Sequence, residues 1–377
     1  MSSNINSNNI YKIKNSIDVF VKESLQDNNY TIQFYKINTR EKFSIIGNKT
    51  LVDLLPHLNG INTLNMISQI TNIDLLDIKQ FCEFLIRKDV LVNENDNNII
   101  NERFAREIVF FDDWVYAKSG NECYNILANS KIMIIGVGAV GGIIAIELAR
   151  MGVKNFVLVD YKKLCDASKI RHLYCNNTNV NEYKTIALSN YLKKIDNSIN
   201  ISCFNTKITP ETNLNNFISS DIDLIVNTAD EPYIGYLSIK IGRYAWKKNI
   251  AMYVAGGFDA HSMSTGEIII PNITPCIDCY CNGFKTALKD WRPTYVTHNH
   301  NKLDKINYQN LIIGGPGSII ACSLFSASYA SICIVNYLLD IDYPMMQRGE
   351  YMINSGAIKW IDLKQHRNQG CKICGNK

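Results

Sequence analysis

The chain has 377 residues, 46% hydrophobic and 20% charged, the make-up of an ordinary globular protein long enough for two domains. A net charge of +4 is too slight over that length to mark a partner as nucleic acid or a membrane surface. The first thirty residues lack an uninterrupted apolar core, so no secretory signal is expected and the twelve cysteines are expected in a reducing cytoplasm.

Residues 1 to about 10 are rich in Asn and Ser and are expected to be disordered. From there to residue 100 short apolar runs alternate with polar turns, with no nucleotide or metal signature. Leu75 to Lys88 places Leu75, Ile78, Phe81, Cys82, Leu85 and Ile86 on one helical face, and β-prone Val90-Leu91-Val92 follows before an Asn/Asp-rich turn. Helix then hairpin suits a small winged-helix-like module over residues 1–100, although many small α/β modules share the pattern, and by itself it describes a structural appendage. Arg103 and Arg106 then stand three residues apart on a polar segment, a spacing that by itself describes a solvated helix face.

Residues 131–160 carry the principal motif. Ile132 to Ile135 reads as a buried parallel strand, and Gly136, Gly138 and Gly141 follow with G-x-G-x-x-G spacing. A helix runs on to Arg150, then a second strand, Phe156 to Val159, ends at Asp160. Such glycines let the backbone turn tightly and approach a phosphate, the helix N-terminus offers unpaired N–H groups, and the acid takes ribose hydroxyls. Further strands are expected at 199–204, 224–226 and 252–255, alternating with helices at 182–195 and 233–248, before a less regular region from Glu267. That alternation predicts a doubly wound α/β domain with a mainly parallel, Rossmann-like sheet over residues 101–377.

Arg171 and Lys184 lie beyond the nucleotide strand, where cations could reach a triphosphate or simply be solvated. Asp230 follows the strand at 224–226, suited to holding Mg²⁺ beside phosphates, to capping a helix opened by Glu231-Pro232, or to both. Cys276-x-x-Cys279 and Cys371-x-x-Cys374 are separated by 91 residues, and four thiolates in two such pairs suit a closed structural Zn²⁺ site better than redox chemistry. Cys281 is expected to be a bystander, and His298 and His300 ordinary loop histidines. Leu311 to Leu339 has no charged residue and is long enough to span a bilayer, but its Gly-Gly-Pro-Gly start and many serines predict a loop and then a helix buried against the sheet.

Taken in order, the arginine pair, glycine loop with Asp160, Arg171, Lys184, Asp230 and split cysteine pairs resemble the ThiF/MoeB/E1 superfamily of adenylating enzymes. The resemblance covers residues 101–377 and is nearest the microcin C-type peptide adenylyltransferases. They share a motif-free N-terminal domain, the A-D-x-P form around Asp230 and a terminal C-x-x-C-G-N. It implies ATP or CTP over Gly136, Gly138 and Gly141 with its ribose on Asp160. Arg171 and Lys184 would hold the phosphates, with Ser168 at the position of a phosphate-touching Asn; Arg103 would also bind the nucleotide, Asp230 would hold Mg²⁺, and Arg106 would act in trans within a homodimer. It also implies a cytoplasmic enzyme whose N-terminal domain feeds a short ribosomal peptide to the α-phosphorus, with neither nucleic acid nor membrane as partner. Three positions depart from the family pattern: Lys162 stands for an acid, Ser168 for an Asn and His172 for a Gln. The resemblance leaves two other functions open, activation of a Gly-Gly-ending sulfur carrier and a non-catalytic peptide-delivery scaffold.

Overall fold

A computed structural model describes residues 5–24, 29–37, 39–93, 101–115, 118–230, 234–255, 263–287 and 319–375. The chain divides into two compact units, Met1–Asn125 and Ile126–Lys377, later than the boundary expected at residue 100. Residues 101–115 join the first unit through specific contacts. Lys14 Nζ donates to the Asp112 carbonyl at 2.6 Å, and Phe104 lies 5.0 Å from Tyr124, ring to ring.

The first unit runs through β1 (Ile10–Ile13), β2 (Ile17–Glu23), β3 (Tyr30–Lys36), β4 (Lys42–Gly47), α1 (Lys49–Leu54) and β5 (Asn59–Thr63). It continues with α2 (Leu64–Thr71), α3 (Leu75–Arg87), β6 (Leu91–Asn93), α4 (Ala105–Trp114) and α5 (Gly120–Asn129), whose last turn enters the second unit. Strands β2, β3 and β4 form an antiparallel meander, and β5-β1-β6 a second small sheet. The anticipated face of α3 is the one that packs. Ile78, Cys82 and Leu85 are buried with Ile32 and Phe34 of β3 and Leu64 and Ile67 of α2, and the Asp74 carboxylate caps the helix by accepting the Leu76 amide. The strand after α3 pairs with β1 instead of turning back into a hairpin among the described residues.

The second unit contains β7 (Lys131–Ile135), α6 (Ala139–Arg150), β8 (Asn155–Val159), α7 (Lys184–Ile195), β9 (Asn200–Phe204), β10 (Leu224–Asn227) and α8 (Ile234–Lys247). After these come β11 (Ala251–Val254), β12 (Glu267–Ile269), α9 (Ile277–Ala287), α10 (Ile320–Leu338), β13 (Gln347–Met352) and β14 (Ala357–Asp362). The main sheet has the order β12-β11-β10-β7-β8-β9, parallel except for the edge strand β12, which accounts for the irregularity expected near Glu267. Chain order reverses between β7 and β10, so the loops after these two strands open the crevice where ligands of such sheets bind. On one face of the sheet Met133, Ile135, Val157, Val159, Ile225 and Met252 share a core with Leu237 and Ile241 of α8 and Tyr280 of α9. The alternate residues of the same strands, among them Ile132, Ile134, Phe156, Leu158, Leu224 and Val226, are buried on the other face, where α6 packs on β7 and α10 packs on α6. Each side chain so buried contributes about 1.5–3 kcal/mol.

Helix α10 is long and apolar enough to cross a membrane, yet 56% of its most apolar window is buried inside the fold. It packs along α6, where the Ser328 and Ser331 hydroxyls donate to the Glu147 carboxylate at 2.6 and 2.7 Å. This is the covered core helix expected from the serine content. Its preceding segment, residues 311–318, lies outside the described residues. Replacing Glu147 with Ala leaves both hydroxyls without their acceptor and should cost about 1–2 kcal/mol. Calorimetry should show the melting temperature falling by about 2–8 °C.

Candidate nucleotide site and metal centre

The turn after β7 is built from backbone constraints. Gly136 has φ +85, and a Cβ there would stand 2.6 Å from the Ala229 amide nitrogen. A Cβ on Gly141 would stand 2.1 Å from the Gly136 carbonyl oxygen. At Gly138, the N-cap of α6, a Cβ would meet nothing within 4 Å. The first and third glycines are therefore needed for packing, while the second leaves open space at a helix N-terminus whose first turn carries no acid. That combination suits an approaching phosphate. Gly141→Ala should weaken nucleotide binding at least about 100-fold, equivalent to about 2.7 kcal/mol, as read by titration calorimetry.

Asp160 ties this turn to the cationic side of the site. Its carboxylate accepts the Val137 amide at 3.0 Å and the Lys162 amide at 2.8 Å. The Lys162 carbonyl in turn accepts the amide of Lys184, the first residue of α7, at 3.0 Å. Residues 162–164 thus run antiparallel to 181–184, with Lys163 bridged to Tyr183 and the Leu164 amide on the Glu182 carbonyl at 2.8 Å. On the other side, the Thr228 amide donates to the Ile135 carbonyl at 2.8 Å and its hydroxyl to the Gly136 carbonyl. Asp230 stands two residues beyond Thr228, exposed at the carboxyl end of β10. An exposed carboxylate there has oxygen chemistry that fits Mg²⁺.

The departing segment is mostly buried. Ser168 is only 3% exposed, and its hydroxyl accepts the Cys165 amide at 3.1 Å. His172 is 7% exposed, and burial, reinforced by Lys184, pushes its pKa down to about 4. Arg171 is half-buried, with Nε lacking a hydrogen-bond partner. Cys165 is exposed, and its hydrogen bond with Ser168 lowers its pKa. Arg103 and Arg106 belong to the first unit, where both are exposed and the Arg103 guanidinium lies 5.8 Å from the Phe104 ring.

Sequence reasoning passed over Thr228 and Tyr174. The Tyr174 hydroxyl donates to the Val137 carbonyl inside the glycine turn, and its ring fills the space beside Gly142. Thr228 could have been found from its place just past a parallel strand; Tyr174 carries no local signal.

The cysteine pairs meet in space. The Sγ atoms of Cys276, Cys279, Cys371 and Cys374 all lie within 4.8 Å of one another, the closest pairs being 276–371 and 279–374 at 3.5 Å. Four sulfurs at about 2.3 Å from one Zn²⁺ would stand about 3.8 Å apart in a tetrahedron, so the set fits that ion. Burial raises the thiols of Cys276 and Cys279, the latter to about 11. Burial opposes ionisation of Cys371 as well, but hydrogen bonds from the Cys374 and Ile373 amides and from the Cys276 and Cys279 thiols together bring that thiol to about 7. Such an arrangement holds its charge comfortably only with a cation at its centre. Cys281 lies apart from the set, buried in the apolar core with Ile277 and Tyr280. His298 and His300 lie outside the described residues.

A glycine turn at the switch point of a doubly wound sheet, with an acid on its amide, defines a nucleotide-binding α/β protein. The chain belongs to the ThiF family, whose model matches residues 114–357, within the ThiF/MoeB/E1-like adenylating superfamily. It is 24% identical over 277 residues to protein HesA of Trichormus variabilis, covering 73% of this chain and 89% of HesA. With the adenylyltransferase and sulfurtransferase UBA4 of Candida albicans it shares 28% identity over 111 residues, a quarter of that protein's length. A crystal structure of E. coli MccB with ATP matches with TM-score 0.69 at 15% identity, over 97% of this chain and 99% of MccB. MccB in complex with N-formylated MccA matches equally well, with TM-score 0.69 at 16% identity. These likenesses extend the shared fold through the N-terminal unit. The family supports an ATP-dependent adenylating enzyme.

Proposed function

We propose that the protein transfers a nucleoside monophosphate from ATP to the C-terminus of a short ribosomal peptide, with release of pyrophosphate. The reading rests on the open space at Gly138 beside the Asp160–Lys162–Lys184 backbone connection, which together suit a nucleoside triphosphate. The peptide's terminal carboxylate attacks the α-phosphorus, an oxygen–phosphorus bond forms, and the bond to the pyrophosphate oxygen breaks. Arg171 and Lys184 hold the phosphate charge, and Arg106 of a second copy completes the site in trans. Mg²⁺ on Asp230 would supply further charge neutralisation. Catalysis is then mainly positioning and electrostatic stabilisation.

The peptide is the substrate class favoured by fold likeness along nearly the whole chain to a protein solved with the peptide MccA. The N-terminal unit would grip it, because the edge strands β2 and β4 of its meander each have one side without a partner strand among the described residues. The protein would work in the cytoplasm as a homodimer, with Zn²⁺ on the cysteine set. Mass spectrometry tests the proposal after incubation with Mg²⁺, ATP or CTP, and the peptide encoded by a short reading frame beside the gene. A stable mass gain of one nucleoside monophosphate is expected and would name the nucleotide. The relatives called adenylyltransferase and sulfurtransferase favour a second reading, activation of a Gly-Gly-ending sulfur carrier. Pyrophosphate exchange with such a carrier and no peptide gain would select it.

A further inference from the structure

We propose that Arg367 is the positioning residue of the metal centre, a clamp that holds the two cysteine pairs in register before the ion arrives. The proposal goes beyond the transfer reaction and rests on the reading of Cys276, Cys279, Cys371 and Cys374 as a Zn²⁺ site. The pairs are 91 residues apart in the chain, so either the fold or the ion must bring them together. Arg367 stands four residues before Cys371. Its Nη2 donates to the Ile273 carbonyl at 2.9 Å and to the Thr274 carbonyl at 3.1 Å, just ahead of Cys276. One guanidinium nitrogen carries two hydrogens, so it can serve both acceptors at once. Those acceptors belong to a fixed turn. The Ile273 and Thr274 amides both donate to the Ile270 carbonyl at 3.1 Å, and the Thr274 hydroxyl accepts the Ile270 amide at 2.9 Å.

The clamp reaches the ligands through the next residue. The Asn368 carbonyl accepts the Cys371 amide at 3.0 Å, its side chain accepts the Gly370 amide at 2.8 Å, and its own amide donates to the Cys279 sulfur. One residue thus touches a ligand from each pair, and Arg367 sets where that residue stands. His366, on the other side of Arg367, seats the tail against α9. Its ring centroid lies 6.1 Å from that of Tyr280, and the ring occupies the space a Cβ on Gly283 would need. Packing brings the tail to α9; the two charge-assisted hydrogen bonds fix its register. Every contact in this series joins protein to protein, so none of them waits for the metal. Partners beyond the ligands themselves commonly set metal affinity by about 10–100-fold.

Zinc competition on the full chain tests the assignment, with the bound metal titrated against a chromogenic chelator and Co²⁺ substituted in parallel to report the ligand set. Arg367→Met keeps the aliphatic stem and removes the donors. Its Zn²⁺ affinity should fall about tenfold, while the visible spectrum of the Co²⁺-saturated protein stays that of four thiolates. Arg367→Lys, whose ammonium can donate to both carbonyls, should stay within about threefold of the native affinity. Lys364→Met, at an exposed residue of the turn just before, should stay within about twofold. Unchanged affinity in Arg367→Met would overturn the proposal, as would an equal loss in Lys364→Met or a saturated Co²⁺ spectrum that has lost a thiolate. Thermal unfolding supplies the check on folding, and Arg367→Gln takes the place of a Met variant that does not fold. A native protein that holds neither Zn²⁺ nor Co²⁺ would sink the metal reading itself, an outcome distinct from each of these.

Discussion

Asp230→Ala should abolish peptide nucleotidylation while leaving the fold intact. The side chain is exposed at the carboxyl end of β10 and supports none of the core, so its removal should change the melting temperature by less than about 2 °C. The loss in rate should be large under the proposed role, in which this carboxylate would place Mg²⁺ where charge develops as pyrophosphate leaves. A fall of at least about 1000-fold, equivalent to about 4 kcal/mol of barrier, is expected. Pyrophosphate release at saturating ATP and peptide gives the measurement. A well-folded Asp230→Ala protein with near-native turnover would remove Asp230 from the mechanism.

Removing the metal should have the second-largest effect, this time on stability. Cys276 and Cys279 lie at the start of α9, while Cys371 and Cys374 lie near the other end of the chain, so one ion would join segments separated by 91 residues. Without it, the burial-raised thiols of Cys276 and Cys279 stand 3.5 Å from the Cys371 and Cys374 sulfurs and the set loses its organising charge. Cys374→Ser should lose stoichiometric zinc, measured by mass spectrometry of the native protein. Its melting temperature should fall by about 10 °C, corresponding to about 3–5 kcal/mol for a unit of this size. A zinc content of zero in the unaltered protein, with unchanged stability after chelation, would refute the metal assignment.

The glycine turn, the alternating strands and helices after residue 130 and the cysteine set were legible because each rests on local spacing. Lys131–Ile135 and Asn155–Val159 are uninterrupted apolar runs after their first residue, as strands buried on both faces must be. The first unit was harder to read. Its strands are short, and β6 chose β1 as a partner from far along the chain, which no local pattern announces. Tyr174 and Thr228 likewise act through contacts to Val137 and Gly136 distant in sequence. Burial of Ser168 and His172 follows from how the 165–175 segment folds back on itself, through the Cys165 and His172 amides, and not from their polar identity. The unit division at Asn125 depends on contacts such as Lys14 with Asp112, which composition near residue 100 does not record.

The connection from Asp160 to Lys184 passes entirely through the main chain of residue 162. Every residue but proline supplies both that amide and that carbonyl, whatever its side chain. The geometry joining Asp160 to Lys184 is therefore insulated from substitution by any residue other than proline at that position, and only the local charge changes. Evolution can exchange an acid for Lys162 in one step, retuning the electrostatics of the pocket without having to rebuild its frame.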